Sequence, residues 1–231
     1  MIKGFSLVEM LVVLALMCML STMVISHIVG TNRCSQKIIN NQQRMEAIFH
    51  TVDSIRSDLS KCGMKLREAS NRFGIPLFEY TTQSFKVLYG TGEEPLLSDC
   101  WKGSKEILAN RNDFFSKQKD ILIYDTEKGC YEFNVISGVS GNRLQLAYAL
   151  QNDYGKNSMA VVLKCVEYKI YPVEKALKRK VNNGYFQPLL EEVTDFYVKF
   201  YPESIAVLYR FEINKKEQLR GYIFLSQMVE K

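Results

Sequence analysis

Histidine is almost absent from this chain. The 231 residues hold two, His27 and His50, and both fall in stretches that read as helix. They stand too far apart on one helix to share a site, which excludes most zinc sites and any Ser-His-Asp arrangement in the rest of the chain. Glycine-rich phosphate motifs are missing too, and Gly90-Thr91-Gly92 reads as a turn. No two of the six cysteines form a C-x-x-C pair. No proline precedes Pro76, so nothing interrupts a long N-terminal helix. Charge is also scarce at that end: from Phe5 to Val29 the sole formally charged residue is Glu9. A formal net charge of +5 is mild for this size. The densest basic cluster, Lys175, Lys178, Arg179 and Lys180, reads as a solvated polar loop or strand edge, and nucleic acid as a partner is unsupported.

What is present begins with the apolar run from Leu7 to Val29. It exceeds the roughly 20 residues that cross a bilayer as a helix. It is too long for the ~7–15-residue core of a secretory signal, and no small-x-small cleavage site follows it. The segment is therefore expected to stay on the mature protein. Glu9 is the anomaly, because a carboxylate among Val8, Met10, Leu11 and Val12 costs a few kcal/mol in hydrocarbon. Such a residue either faces a partner or lies near enough to the membrane surface to reach water.

Met1-Ile2-Lys3-Gly4-Phe5-Ser6-Leu7-Val8-Glu9-Met10-Leu11-Val12-Val13-Leu14-Ala15 resembles the processing site of type IV prepilins and type II secretion pseudopilins. The family pattern is a short basic leader, then Gly, Phe, a glutamate as the fifth residue after the cut, and an apolar helix. The resemblance implies that prepilin peptidase cuts between Gly4 and Phe5 and N-methylates Phe5. It implies that Glu9 is an assembly contact, pairing with the new amino terminus of a neighbouring subunit. A carboxylate that is costly alone in lipid is compensated by an ammonium group. It also implies residence in the cytoplasmic membrane as a single-pass protein, with the head on the extracytoplasmic side and later at a filament tip. Lys3 on the inner side agrees with the positive-inside tendency, but Arg33, Lys37 and Arg44 follow on the other side. The orientation thus rests on the resemblance and not on the charges.

Beyond the apolar run, Met45, Ile48, Val52, Ile55, Leu59, Cys62 and Leu66 recur at alternating steps of three and four. This is one stripe of an amphipathic helix, expected to lie against the chain's own sheet, with a coiled coil as the alternative. The helix is expected to end between Cys62 and Asn71. Segments rich in β-branched and aromatic residues follow: Ser84–Tyr89, Asp120–Tyr124, Tyr131–Ile136, Arg143–Tyr148, Ala160–Tyr171, Asp195–Tyr201, Ile205–Ile213 and Gly221–Met228. Leu189–Val193 reads as a short helical turn and Ser104–Ala109 as a short helix. The fold class is α+β: a long helix, membrane-spanning in its first half and amphipathic in its second, packed on a mainly antiparallel β head of one or two sheets. The expected divisions are a leader (1–4), a transmembrane and polymerisation helix (5–30), its amphipathic continuation (31–70) and a β-rich head (71–231).

The head resembles a subgroup, the W-type minor pilins and pseudopilin J, at Ser54–Leu59 with Cys62-Gly63, at Val166–Ile170 and at Gln187–Phe196. Cys18 lies within the apolar helix and reads as a free thiol. If the head is extracytoplasmic, disulfides are permitted. Cys130 with Cys165 is one pairing and Cys62 with Cys100 another, with free buried thiols as the alternative. Asp120, Asp125 and Glu127 offer calcium-type ligands, but their spacing matches no calcium-loop signature. No cofactor or metal is called for, and no feature points to catalysis.

The functional reading is a minor pilin or pseudopilin, a structural subunit at a filament tip that helps prime assembly. Its partners would be prepilin peptidase, other minor and major pilin-like subunits, an inner-membrane assembly platform, and membrane lipid before assembly. The alternative is a tip-located binding or adhesion subunit, whose loops at Cys100-Trp101 and Tyr185-Phe186 contact a surface, a secreted substrate or DNA.

Overall fold

The structure, a computed structural model, describes residues 7–110, 112–214 and 217–225. Two compact units divide the chain, Met1–His50 and Thr51–Lys231. The first is helical where described. Helix α1 runs Leu7–Ser60, so its stretch from Thr51 onward belongs to the second unit.

The second unit is the head. Helix α2 (Arg67–Phe73) precedes β1 (Phe78–Thr81), β2 (Ser84–Pro95), β3 (Glu106–Leu108), β4 (Asp120–Asp125), β5 (Cys130–Ser140) and β6 (Arg143–Leu146). Then come β7 (Met159–Tyr171), β8 (Ala176–Val181), β9 (Gln187–Leu190), β10 (Val193–Tyr201), β11 (Ala206–Ile213) and β12 (Glu217–Phe224). Among the described residues, the strands form two antiparallel sheets. The larger has the order β1-β2-β7-β4-β5-β6-β3, with β8 and β9 branching from β7, and the smaller is β10-β11-β12.

Strand β7 is the axis of the larger sheet. One edge pairs with β2 along its length; the other pairs with β4 at residues 159–162 and then with β8 at residues 166–171. Its N-terminal half, Ala160-Val161-Val162, is fully buried on both faces, as a continuous apolar run requires. Further along, exposed Lys169 alternates with buried Tyr168 and Ile170. The two sheets meet through rings. Phe85 stacks on Tyr168 at 4.7 Å and lies 6.1 Å from Phe196, and Phe78 lies 5.5 Å from Phe200. Such ring pairs add about 0.5–1.5 kcal/mol beyond their buried area.

The amphipathic stripe is buried where it enters the head: Ile55, Leu59, Cys62 and Leu66 are fully inaccessible, while Met45 at its start is exposed. Helix α1 stops at Ser60, ahead of the expected window. Gly63, at φ +77°, turns the chain so that its N–H donates to Leu88 O at 3.0 Å, and Gly90 N–H donates to Met64 O at 2.8 Å. The turn thus caps the edge of β2 beyond β1. A helical continuation would leave those β2 groups without partners, which is costly when they are buried.

Four local expectations are corrected. Gly90-Thr91-Gly92 is a bulge within β2, not a turn. A Cβ at Gly92 would lie 2.1 Å from the Phe114 ring, so close packing selects glycine there. Ser104–Ala109 contains β3 and not a helix, because Glu106–Leu108 pairs with Arg143–Gln145. Leu189–Val193 bridges β9 and β10 with Glu192 at φ +61°, and is no helical turn. In the basic cluster, Lys178, Arg179 and Lys180 lie on β8, which is paired on both edges and is neither a loop nor a sheet edge, while Lys175 precedes the strand. The end of the Gly221–Met228 expectation falls outside the described residues.

Candidate functional site

Two places carry the chemistry: the N-terminal helix and the point where α1 is fastened into the head. Gly4 and Phe5 lie outside the described residues. Glu9 sits in the first turn of α1, where the positive end of the helix dipole favours a carboxylate. Behind it the apolar side chains are uncovered: Leu7 is 81% exposed and Met23 72%. At 1.5 Å per residue, Leu7–Val29 spans about 35 Å, enough for a hydrocarbon core. Two of its hydroxyls are satisfied within the helix. Thr22 and Ser26 donate to Met19 O and Met23 O, and Thr31 donates to His27 O at the exit. Internal satisfaction of this kind lets a helix cross lipid.

Asp58 fastens the other end. Its side chain is 5% exposed and sits close to the C-terminal end of α1, where the dipole disfavours a carboxylate. Three strands compensate it. Tyr89 of β2 donates to Oδ1 at 3.2 Å, Tyr168 of β7 donates to Oδ2 at 2.6 Å, and Arg179 of β8 reaches Oδ2 with Nε at 3.0 Å and Nη2 at 2.8 Å. Burial pushes both tyrosine hydroxyls up, and the neighbouring Asp58 charge pushes them further. Burial acts to lower Arg179, but the hydrogen bonds and charges of Asp58 and Tyr168 together outweigh it and raise it. Sequence reasoning missed Arg179, which stood in a cluster assigned to solvent. The alternation of β8 turns Arg179 to the helix side and Lys178 and Lys180 to the other.

The acidic trio does not converge. Asp120 and Asp125 occupy opposite ends of β4, roughly 17 Å apart along a strand. Asp125 caps the β4–β5 turn, accepting from the N–H groups of Glu127, Lys128 and Gly155 and from the Ser158 hydroxyl. Burial acts to raise its pKa; those hydrogen bonds outweigh burial and hold it below the ordinary carboxylate value. No group of three metal-ligating side chains occurs among the described residues. His27 and His50 both lie on α1.

The cysteine pairings are also corrected. None of the six cysteines is joined in a disulfide in this structure. Cys130 faces Asp125, next to the Tyr124–Met159 pair at the start of β7, while Cys165 lies about 20 Å further along that strand. Cys100 bridges to Tyr154 at the Cys130 end. Cys62 donates to Leu77 O at the Cys165 end, where Leu77 and Cys165 both border Leu88. Each expected pair therefore joins opposite ends of the strand, far beyond the ~7 Å Cα limit of a disulfide.

An uncovered apolar helix with one carboxylate in its first turn leads into an antiparallel β head. Residues 1–25 match the family model for the prokaryotic N-terminal methylation motif. The N-terminus thus fits a type IV prepilin-like protein, and the one helix among the described residues that is long and apolar enough to cross a membrane fits a single-pass anchor. No curated protein matches the chain. Among solved structures, the Gp54 tailspike of Acinetobacter baumannii bacteriophage AP22, in complex with A. baumannii capsular saccharide, is 20% identical over 35% of this chain, with a TM-score of 0.28. The match spans 15% of the tailspike's length.

Proposed function

We propose that the protein is a minor pilin or pseudopilin, a structural subunit that helps prime assembly at the tip of a type IV pilus-like or type II secretion filament. The observation that carries this reading is the uncovered apolar helix with Glu9 in its first turn, behind a methylation motif. Prepilin peptidase cuts between Gly4 and Phe5, removing residues 1–4, and methylates Phe5. Residues 5–30 anchor the subunit in lipid and later pack in the filament, and the rest of α1 carries the chain into the head. Glu9 pairs with the amino terminus of a neighbour, and this contact sets the stagger between subunits. A bulky head fits poorly at every position of a dense filament, which favours the tip. The resemblance to W-type minor pilins and pseudopilin J points the same way.

N-terminal mass analysis of the membrane-extracted protein tests the processing step. A chain starting at methylated Phe5 is expected; unmodified Met1, in cells with active prepilin peptidase, would sink the reading. Glu9→Ala is expected to be processed normally yet fail to enter filaments, and normal incorporation refutes the pairing.

A second reading, a tip-located binding subunit, draws on two exposed rings. Trp101 is 68% exposed and Tyr185 91%, more than packing alone calls for. Trp101→Ala and Tyr185→Ala are expected to leave filament number unchanged while reducing adherence to the bound surface or substrate.

A further inference from the structure

Face alternation along β2 and β7 creates a second surface on the head. Tyr89 and Tyr168 turn to Asp58, so Lys86, Leu88, Leu163 and Cys165 turn to the opposite face. There they floor a groove of about 480 Å³, walled by Ile75, Leu77, Phe133 and Tyr148. Phe133 and Tyr148 are exposed, 52% and 66%, although Phe133 lies on a paired strand. The groove runs into a second, more polar hollow of about 510 Å³, and Glu79, Lys86, Asp120, Cys165 and Asn183 border both.

The charges at this junction are unequal. Lys86 is held by Glu79 at 3.3 Å, and Glu167 lies 4.0 Å from Lys180. The Asp120 carboxylate is half-buried at the shared border and makes no hydrogen bond or ion pair with any described residue. Burial raises its pKa, as expected of a carboxylate short of counter-charge. An apolar groove with one uncompensated acid is complementary to an apolar body bearing one positive charge.

We propose that the groove binds an extended peptide segment of a partner protein in which a lysine or arginine is flanked by apolar residues. The apolar half takes the flanking side chains, with Phe133 and Tyr148 as aromatic anchors. Asp120 takes the cation, and the polar half receives the continuing backbone. Two hollows in series suit an extended chain better than a compact amine, which the first would hold alone. The inference stands on the head by itself and holds whether or not the chain enters a filament.

The test uses the full chain in detergent micelles and a fluorescein-labelled hexapeptide alternating leucine with lysine, read by fluorescence polarisation. A leucine–glutamate peptide, a serine–lysine peptide and n-hexylamine are the comparison probes. The leucine–lysine peptide is expected to bind about ten-fold more tightly than the other two peptides. Asp120→Asn should abolish its preference over the glutamate peptide, and Phe133→Ser, at an exposed position, should weaken both. Bound peptide should slow alkylation of Cys165, which borders both hollows, without slowing that of exposed Cys34. Equal affinity for the lysine and glutamate peptides, or an unchanged preference in Asp120→Asn, overturns the proposal. Hexylamine binding without peptide binding also overturns it, in favour of a small-amine site, and so does the absence of any binding. If Asp120→Asn fails to fold, as read by near-ultraviolet circular dichroism, Phe133→Ser and Cys165 protection decide.

Discussion

Replacing Asp58 by alanine should cost the head about 3–5 kcal/mol, the range for breaking a buried ion pair from one side. The magnitude follows from what the substitution strands. Tyr89 and Tyr168 are 2% and 0% exposed, and both hydroxyls donate to Asp58. Each buried donor left without an acceptor costs about 1–3 kcal/mol. Arg179 adds less, because its side chain is 27% exposed and can turn to water. Relief of the carboxylate at the helix C-terminus returns a few tenths of a kcal/mol. Arg179→Met should cost less, about 2 kcal/mol, since Asp58 keeps both hydroxyl donors. Tyr168→Phe should cost more than Tyr89→Phe, in line with 2.6 Å against 3.2 Å. The assay is urea unfolding of the full chain in micelles, followed by near-ultraviolet circular dichroism of the buried tyrosines and extrapolated linearly to water. In a double-mutant cycle, Asp58 and Arg179 should couple by at least about 1 kcal/mol. A loss below about 1 kcal/mol for Asp58→Ala, or strict additivity with Arg179→Met, would refute the claim that this cluster fastens α1 to the sheet.

Gly92→Ala should destabilise by about 1–3 kcal/mol, because its Cβ meets the Phe114 ring at 2.1 Å; an unchanged urea midpoint would show that Phe114 moves aside freely. Asp125 has a lowered folded pKa, so its contribution is present above the ordinary aspartate value near 4 and lost as pH falls below it. Asp125→Asn should therefore lose less stability than the parent between pH 7 and pH 3, and parallel losses would contradict this. Cys62 is raised to about 12 by burial, so its contribution holds below the ordinary thiol value near 8.5 and fades as pH rises towards the folded value. At pH 8 iodoacetamide should modify Cys34 quickly and Cys62 only after unfolding; equal rates in the folded protein would contradict the burial of Cys62.

Much of the α part is legible in the sequence, because its signals are local. An apolar run with one carboxylate, and then a stripe at steps of three and four, follow from helix periodicity within a few turns. The strands of the head were legible where β-branched and aromatic residues concentrate, as in Ala160–Tyr171. They were not legible where polar side chains dominate, as in β8, whose place comes from pairing with β7 and β9 and not from its own composition.

The amino-acid sequence alone established the N-terminal motif, the spanning helix and the α+β class, since each depends on neighbours in the chain. Tertiary structure alone settled which distant residues meet. Strand register placed Cys130 and Cys165 at opposite ends of β7, brought Arg179 to Asp58 from across two sheet positions, and set Asp120 beside an apolar groove. A shift of one residue in register turns every side chain of a strand to the other face, so such meetings are a property of the pairing and not of any segment read by itself.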